Sequence, residues 1–208
     1  MVNVLNYGCS YDQEYADALL HAYNAGMQIC SHTSTHADLN KLTYAQIDQE
    51  VEQVETMLHK IIGAVPACIR APYGSISQKV VDYLNNKHGL VVVNWTYDSG
   101  DSVGKSEKQS EAVYKKIKAP MKAIVLNHET EKTTAKTLFP AAIKIAKQNG
   151  YTSANFMTIA QSLAFNPYKS VTTPVSLDPL CAMLHWLTSL FAIRESVTKH
   201  GLVRLPKS

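Results

Sequence analysis

His32 and His36 stand four residues apart in Ser31-His32-Thr33-Ser34-Thr35-His36. That spacing lets two imidazoles meet one metal ion, from a helical turn or from a loop that folds back. The residues between them are small and hydroxylic, suited to hydrogen-bond the rings from behind. No Glu follows the first His, so this is not the H-E-x-x-H pattern of zinc proteases. Two surface histidines are the plain alternative, because the chain holds 8 His and one such pair arises easily by chance.

Three further clusters carry chemistry-bearing groups. Arg70-Ala71-Pro72-Tyr73-Gly74 reads either as an ordinary Pro-Tyr-Gly turn or as a guanidinium that fixes a carboxylate beside a rigid turn aiming an N–H at an oxyanion. Asp98 and Asp101 follow an apolar run and either cap the next helix or orient and charge a histidine. His128, in Leu126-Asn127-His128-Glu129, is the natural partner for such an acid, though a polar loop residue fits the same position.

The elements around these clusters alternate. Tyr11 to Ala25 carries Ala16, Leu19, Leu20 and Tyr23 at helical spacing and stops at Gly26. Met27 to Cys30 reads as a short buried strand. Thr43 and Gln46 form a capping-box signature that opens a helix with Ile47, Val51, Val54, Leu58 and Ile61 on one face, closed by Gly63. Ala67 to Arg70 is a strand, Ser77 to Lys87 a helix, and Leu90 to Trp95 a fully buried strand of the parallel kind. Ser106 to Lys118 is a helix ended by Pro120, and Ala123 to Leu126 another buried strand. Lys136 to Gln148 is a helix with Ile143 and Ala146 inward, capped by Gly150. This order predicts an α/β fold with parallel strands, open-wound or barrel. Each of the four clusters then follows a strand, where parallel α/β folds place their sites.

Composition bounds the function classes. With 208 residues, 46% apolar and 18% charged, the chain is too apolar for a disordered segment and lacks the bias of collagen or a coiled coil. The net charge of +3 carries no basic stripe, which argues against nucleic acid as a partner. Its apolar runs are too short for a membrane span, and Met1 to Cys9 lacks the pattern of a secretory signal. Cys9, Cys30, Cys68 and Cys181 form no C-x-x-C pair; disulfides and buried thiols both remain open. Ser170 to Pro179 reads as a linker, and Cys181 to Lys199 as a rough amphipathic helix. The expected division is a domain over 1–168 and an atypical tail over 169–208, in a monomer.

Taken in order, the clusters resemble the motifs of the NodB-homology polysaccharide deacetylases, carbohydrate esterase family four, and within it the fungal-type chitin deacetylases. His32-Thr33-Ser34-Thr35-His36 resembles the family's H-[ST]-x-x-H, Arg70-Ala71-Pro72-Tyr73-Gly74 its R-x-P-[YF]-G, Asp98-Ser99-Gly100-Asp101 its D-x-x-D and Leu126-Asn127-His128 its L-x-H. The resemblance runs over roughly residues 6–163. It implies a distorted (β/α) barrel and a hydrolase that removes N-acetyl groups from N-acetylglucosamine oligomers or chitin. His32 and His36 would bind a divalent metal, with zinc first and Co, Ni or Mn as alternatives. Arg70 would orient the base, and the Tyr73 N–H would hold the oxyanion. His128, tuned by Asp98 or Asp101, would protonate the leaving amine. Leu126, and Trp95 with it, would line the acetyl pocket. The family acts outside the cell or in the wall.

Two departures accompany the resemblance. The family's first motif, T-F-D-D-G, supplies its base and third metal ligand and does not occur in the 208 residues. A barrel incomplete at the N-terminus and an impaired enzyme are therefore expected. Ser102 stands where an aromatic residue usually follows D-x-x-D. The rival readings are a non-catalytic carbohydrate-binding remnant of the same fold and an O-acetyl xylan esterase.

Overall fold

The computed structural model describes residues 1–152 and 159–170. Helix α1 spans Gln13–Asn24 and α2 spans Tyr44–Ile62. The Thr43 hydroxyl accepts from Gln46 N while Gln46 Oε1 accepts from Thr43 N, so the expected capping box satisfies two of the donors that a helix start leaves open. Gly63, at φ 70°, ends α2 in the left-handed conformation that side chains rarely adopt. Ile47, Val51, Val54 and Leu58 are fully buried, as their spacing predicts.

Beyond α2 come β1 (Val65–Pro66), β2 (Cys68–Ile69), α3 (Gln78–His88), β3 (Val91–Val92) and β4 (Tyr97–Asp98). After them follow α4 (Glu107–Lys116), β5 (Val125–Leu126), α5 (Phe139–Gln148), α6 (Ile159–Leu163) and β6 (Tyr168–Lys169). The pairings that lead to the four clusters are parallel. Val2 bridges Ser31, Ser31 bridges Ile69, and β2 pairs with β3 in the register Cys68 to Val91. β4 pairs in parallel with β5, Tyr97 opposite Val125. The chain passes from β3 to β4 through residues 93–96 without a helix, so a single bent run serves both ladders. Among the described residues these ladders do not close into a complete ring. All four clusters leave the same, C-terminal, end of the strands. A disulfide joins Cys30 to Cys68, which answers the question their spacing left open.

Several expectations are corrected. Met27 is 60% exposed, and strand pairing begins only at Ser31, because the chain enters the cover of α2 at Ile29. The run Leu90 to Trp95 is not buried throughout: Leu90 and Val93 are, whereas Val91 and Val92 are half-buried and Asn94 is exposed. β3 has only β2 beside it among the described residues, so its other edge lacks cover. Ala123 is likewise exposed and β5 half-buried. In α5 the inward residues are Ala142 and Ile145, while Ile143 faces outward. A π-helical turn over Thr134–Leu138 precedes α5, and the residue it inserts rotates the helix face by one position. The structure adds a pairing that the sequence did not suggest: β6 lies antiparallel on β1, so ordered chain runs past residue 168. The linker and the tail helix lie outside the described residues.

Candidate active site

The segment from His32 to His36 is a tight loop. Thr33 and His36 both sit at positive φ, 64° and 63°, which for β-branched and bulky residues marks a conformation imposed by surroundings. Two side chains impose it. The Asn3 amide donates to the carbonyls of His32 and Thr33. The Glu50 carboxylate on α2 accepts from Thr35 N at 2.8 Å and from the Thr35 hydroxyl. The hydroxyls of this loop do not serve the imidazoles, contrary to expectation. Those of Thr33 and Ser34 are buried with no partner among the described residues, and that of Thr35 is held by Glu50.

The two imidazoles do converge, with ring centroids 4.8 Å apart. His32 Nδ1 lies 2.7 Å from the Arg70 carbonyl. A carbonyl only accepts, so Nδ1 carries the proton and Nε2 presents a lone pair. Burial, and next the charges of His36 and Arg70, push His32 down to about 4 although its bond to the Arg70 carbonyl works the other way. His36 is also lowered, by burial and by the charge of His128. Both rings are therefore kept neutral, the form that binds metal. They fit two positions of a metal site. Among the described residues no group of three His, Cys, Asp or Glu could hold an ion.

Arg70 is 8% exposed and makes no carboxylate contact among the described residues. Its Nε donates to Val93 O at 3.2 Å and its Nη2 to Asn94 O at 3.4 Å, where the sheet bends. Its guanidinium lies 5.6 Å from the Trp95 ring centroid. Trp95 in turn packs under the Pro-Tyr-Gly turn. A Cβ on Gly74 would stand 2.8 Å from that indole, and Gly74 also has φ 66°, so only glycine fits. Tyr73 is 70% exposed, at φ 62°, with its ring 4.7 Å from that of His36. Among the described residues nothing accepts from the Tyr73 N–H.

The two acids part company. Asp98 is exposed and its carboxylate accepts from Gly100 N at 2.7 Å, closing its own loop. Asp101 faces His128: Oδ1 lies 2.8 Å from Nδ1, and Oδ2 accepts from the His128 backbone N–H at 2.6 Å. Of the two acids considered for this contact, the geometry selects Asp101. Burial would raise Asp101, but the bonds from the His128 ring, the His128 N–H and Thr134 outweigh it and hold the carboxyl below the ordinary range. Leu126 is half-buried on β5 and its carbonyl accepts from the Ser99 hydroxyl at 2.8 Å, which ties the acid loop to the strand before His128. The Asn127 amide donates to the Tyr114 hydroxyl. Asn3, Glu50, Ser99, Tyr114 and Thr134 were not foreseen as supports of this site. They act across long sequence separations, and no local pattern marks them.

Comparisons with known proteins bear on the fold that carries these residues. The sequence profile described as polysaccharide deacetylase matches residues 7–93. Those residues carry the mark of a polysaccharide deacetylase domain, and the structure has the NodB-homology fold of carbohydrate esterase family four. It is 31% identical over 171 residues to a chitin deacetylase of Pestalotiopsis, covering 81% of this chain and 56% of that one. It is 29% identical over 136 residues to a peptidoglycan-N-acetylglucosamine deacetylase of Listeria monocytogenes, covering 64% of this chain and 27% of that one. The chain thus spans about half or less of the length of these relatives. Its structure resembles that of the chitin deacetylase from the fungal pathogen Colletotrichum lindemuthianum, with a TM-score of 0.76, 24% identity, and 83% and 79% of the two chains covered. No helix among the described residues is long and apolar enough to cross a membrane.

Proposed function

We propose that this chain is a metal-dependent hydrolase that removes N-acetyl groups from β-linked N-acetylglucosamine polymers, with chitin as the substrate and the cell wall or the extracellular space as its place of action. The observation that carries the reading is the pairing of a neutral His32–His36 couple with a His128 braced by Asp101 on the same end of the sheet.

In this reading the acetamido carbonyl lies over the His pair, and the Tyr73 N–H donates to the oxygen as negative charge develops there. A zinc ion held by His32 and His36, with a third ligand from outside the described residues, would polarise that carbonyl and acidify the attacking water. Asp101 holds one proton of His128 on Nδ1, so the doubly protonated ring carries its second proton on Nε2 and gives it to the departing nitrogen, and the proton released with acetate restores it. Water oxygen bonds to the acetyl carbon, the carbon–nitrogen bond breaks, its electron pair stays on nitrogen, and acetate and a glucosamine unit result. Arg70 holds Trp95 and the end of β3, and Leu126 with Trp95 lines the space for the acetyl methyl group. The T-F-D-D-G motif is absent from the 208 residues, so turnover by them alone is expected to be low: loss of a general base costs about 10²–10⁴ in rate.

The test is acetate release from N-acetylglucosamine oligomers and from peptidoglycan, with added Zn²⁺ and a chelator control, on a sample shown to be folded by circular dichroism. Chelator-sensitive release from the oligomers supports the reading. A second reading, a carbohydrate-binding protein that keeps the groove and not the reaction, is favoured by the lack of a three-ligand group among the described residues. Binding of the oligomers without release would establish it.

A further inference from the structure

We propose that Thr134 is a positioning residue of this site: its hydroxyl locks the Asp101 carboxylate in the one orientation that keeps His128 in its Nδ1–H form. The proposal rests on the reading of His128 as proton donor and extends it to a residue on another element.

The geometry is specific. Thr134 Oγ1 donates to Asp101 Oδ2 at 2.9 Å across a sequence separation of 33. Thr134 is 3% exposed, and so is the Asp101 side chain. Asp101 thereby receives four donors: the His128 ring and the Ser102 N–H on Oδ1, and the His128 N–H and the Thr134 hydroxyl on Oδ2. Two of them belong to His128 itself and move with it. The Ser102 N–H comes from the acid's own loop, so among the described residues Thr134 supplies the hold that comes from an element outside both that loop and His128.

A threonine in a helix ordinarily turns its hydroxyl back onto a carbonyl of the preceding turn. Thr137, one turn further on, does this, donating to Thr133 O at 2.6 Å. Thr134 does not; it reaches out of its own turn to the acid. It stands at the first position of the π-helical turn Thr134–Leu138, and inserted turns of this kind are frequent at functional sites. The same turn that shifts the inward face of α5 thus presents this hydroxyl to Asp101. A buried hydroxyl with a carboxylate acceptor makes one of the stronger hydrogen bonds, and losing it leaves Oδ2 held only by the His128 N–H and the carboxylate less firmly fixed about its Cβ–Cγ bond.

The experiment compares the whole chain with Thr134→Val, Thr134→Ala and Thr134→Ser, each checked by circular dichroism. The two ring nitrogens of His128 are followed by ¹⁵N nuclear magnetic resonance at about pH 8.5, where an ordinary imidazole is neutral, with His128→Gln identifying the signals. The wild type is expected to show the Nδ1–H pattern. Thr134→Val is expected to lose about half of it to the Nε2–H form, and Thr134→Ser to restore it. If Thr134→Val does not fold, Thr134→Ala removes the same donor without changing this expectation. Where acetate release is measurable, kcat should fall about tenfold in the valine variant with KM within about twofold, and recover in the serine variant. An unchanged Nδ1–H pattern in the valine or alanine variant overturns the proposal, as does failure of serine to restore it, since that would reduce Thr134 to packing. If the wild type releases no acetate, the deacetylase reading fails by itself, and the nitrogen signals still decide this one.

Discussion

Asp101 holds His128 at two points, accepting from the ring at Nδ1 and from the backbone N–H of the same residue. A side chain gripped by both its ring and its own peptide can neither flip nor slide along the strand. The carboxylate is 3% exposed whereas the ring is 34% exposed, so the acid is sealed behind a histidine that still meets solvent and substrate. Asp101→Asn keeps the shape but removes the charge and offers only one accepting atom. We expect the fold to survive, by circular dichroism, and acetate release to fall by about 10²–10⁴. A variant with more than half of the wild-type rate would remove Asp101 from the proton-delivery pathway.

Stability should fall in two stages as pH drops. His32 is lowered in the folded protein from its ordinary value to about 4. Between those two values the unfolded chain takes up a proton that the folded chain refuses. The stabilisation is whole above about pH 6.5, falls as pH decreases toward about 4, and amounts to on the order of 3 kcal/mol. Asp101 is also held below its ordinary range, so its contribution is present above about pH 4 and is lost at lower pH. Urea titrations with chelator present, at a series of pH values, read both stages. His32→Gln should flatten the upper stage and leave the lower one; equal slopes in wild type and variant would contradict the assignment.

Gly74→Ala should be costly despite its single added carbon. The new Cβ would meet the Trp95 ring at 2.8 Å, at a φ of 66° that alanine adopts with strain. Together these predict a loss of about 1–3 kcal/mol and displacement of Trp95 from Arg70. Thermal melting checks the first, and a measured melting point within a degree of wild type would show that the turn relaxes freely.

The Cys30–Cys68 bond closes a separation of 38 residues. In the loop-entropy account such a closure contributes about 4 kcal/mol. Replacing both cysteines by alanine should lower the urea midpoint accordingly. Because the bond ties the strand before His32 to the strand before Arg70, zinc affinity should fall with it. Unaltered zinc affinity by calorimetry would separate the bond from the site.

Legibility differed between elements for physical reasons. α2 could be read almost to the residue, since its cap, its stripe and its terminal glycine are all local signals and all agree. The four clusters were legible as well, because short loops at strand ends carry their spacing in the sequence. The face of α5 was not, since a π-turn adds one residue without a compositional signature. The strand edges were misjudged because β-branched runs look alike whether one neighbour or two covers them. Thr134, Asn3 and Glu50 reach the site only through tertiary contact. Each looks like an ordinary helix or loop polar residue, which explains why the supports of the site stayed hidden while its front rank did not.

The contrast between α1 and α2 has an evolutionary side. α1 contributes no buried residue, whereas α2 contributes seven. Substitutions on α1 therefore meet water or a loosely packed flank, and most are close to neutral. Substitutions on the inner face of α2 are filtered by packing. Over long divergence the first helix is expected to drift and the second to stay recognisable. Two neighbouring helices of one domain should thus keep time at different rates, which aligned relatives would show as more substitutions per site in the first than on the inner face of the second.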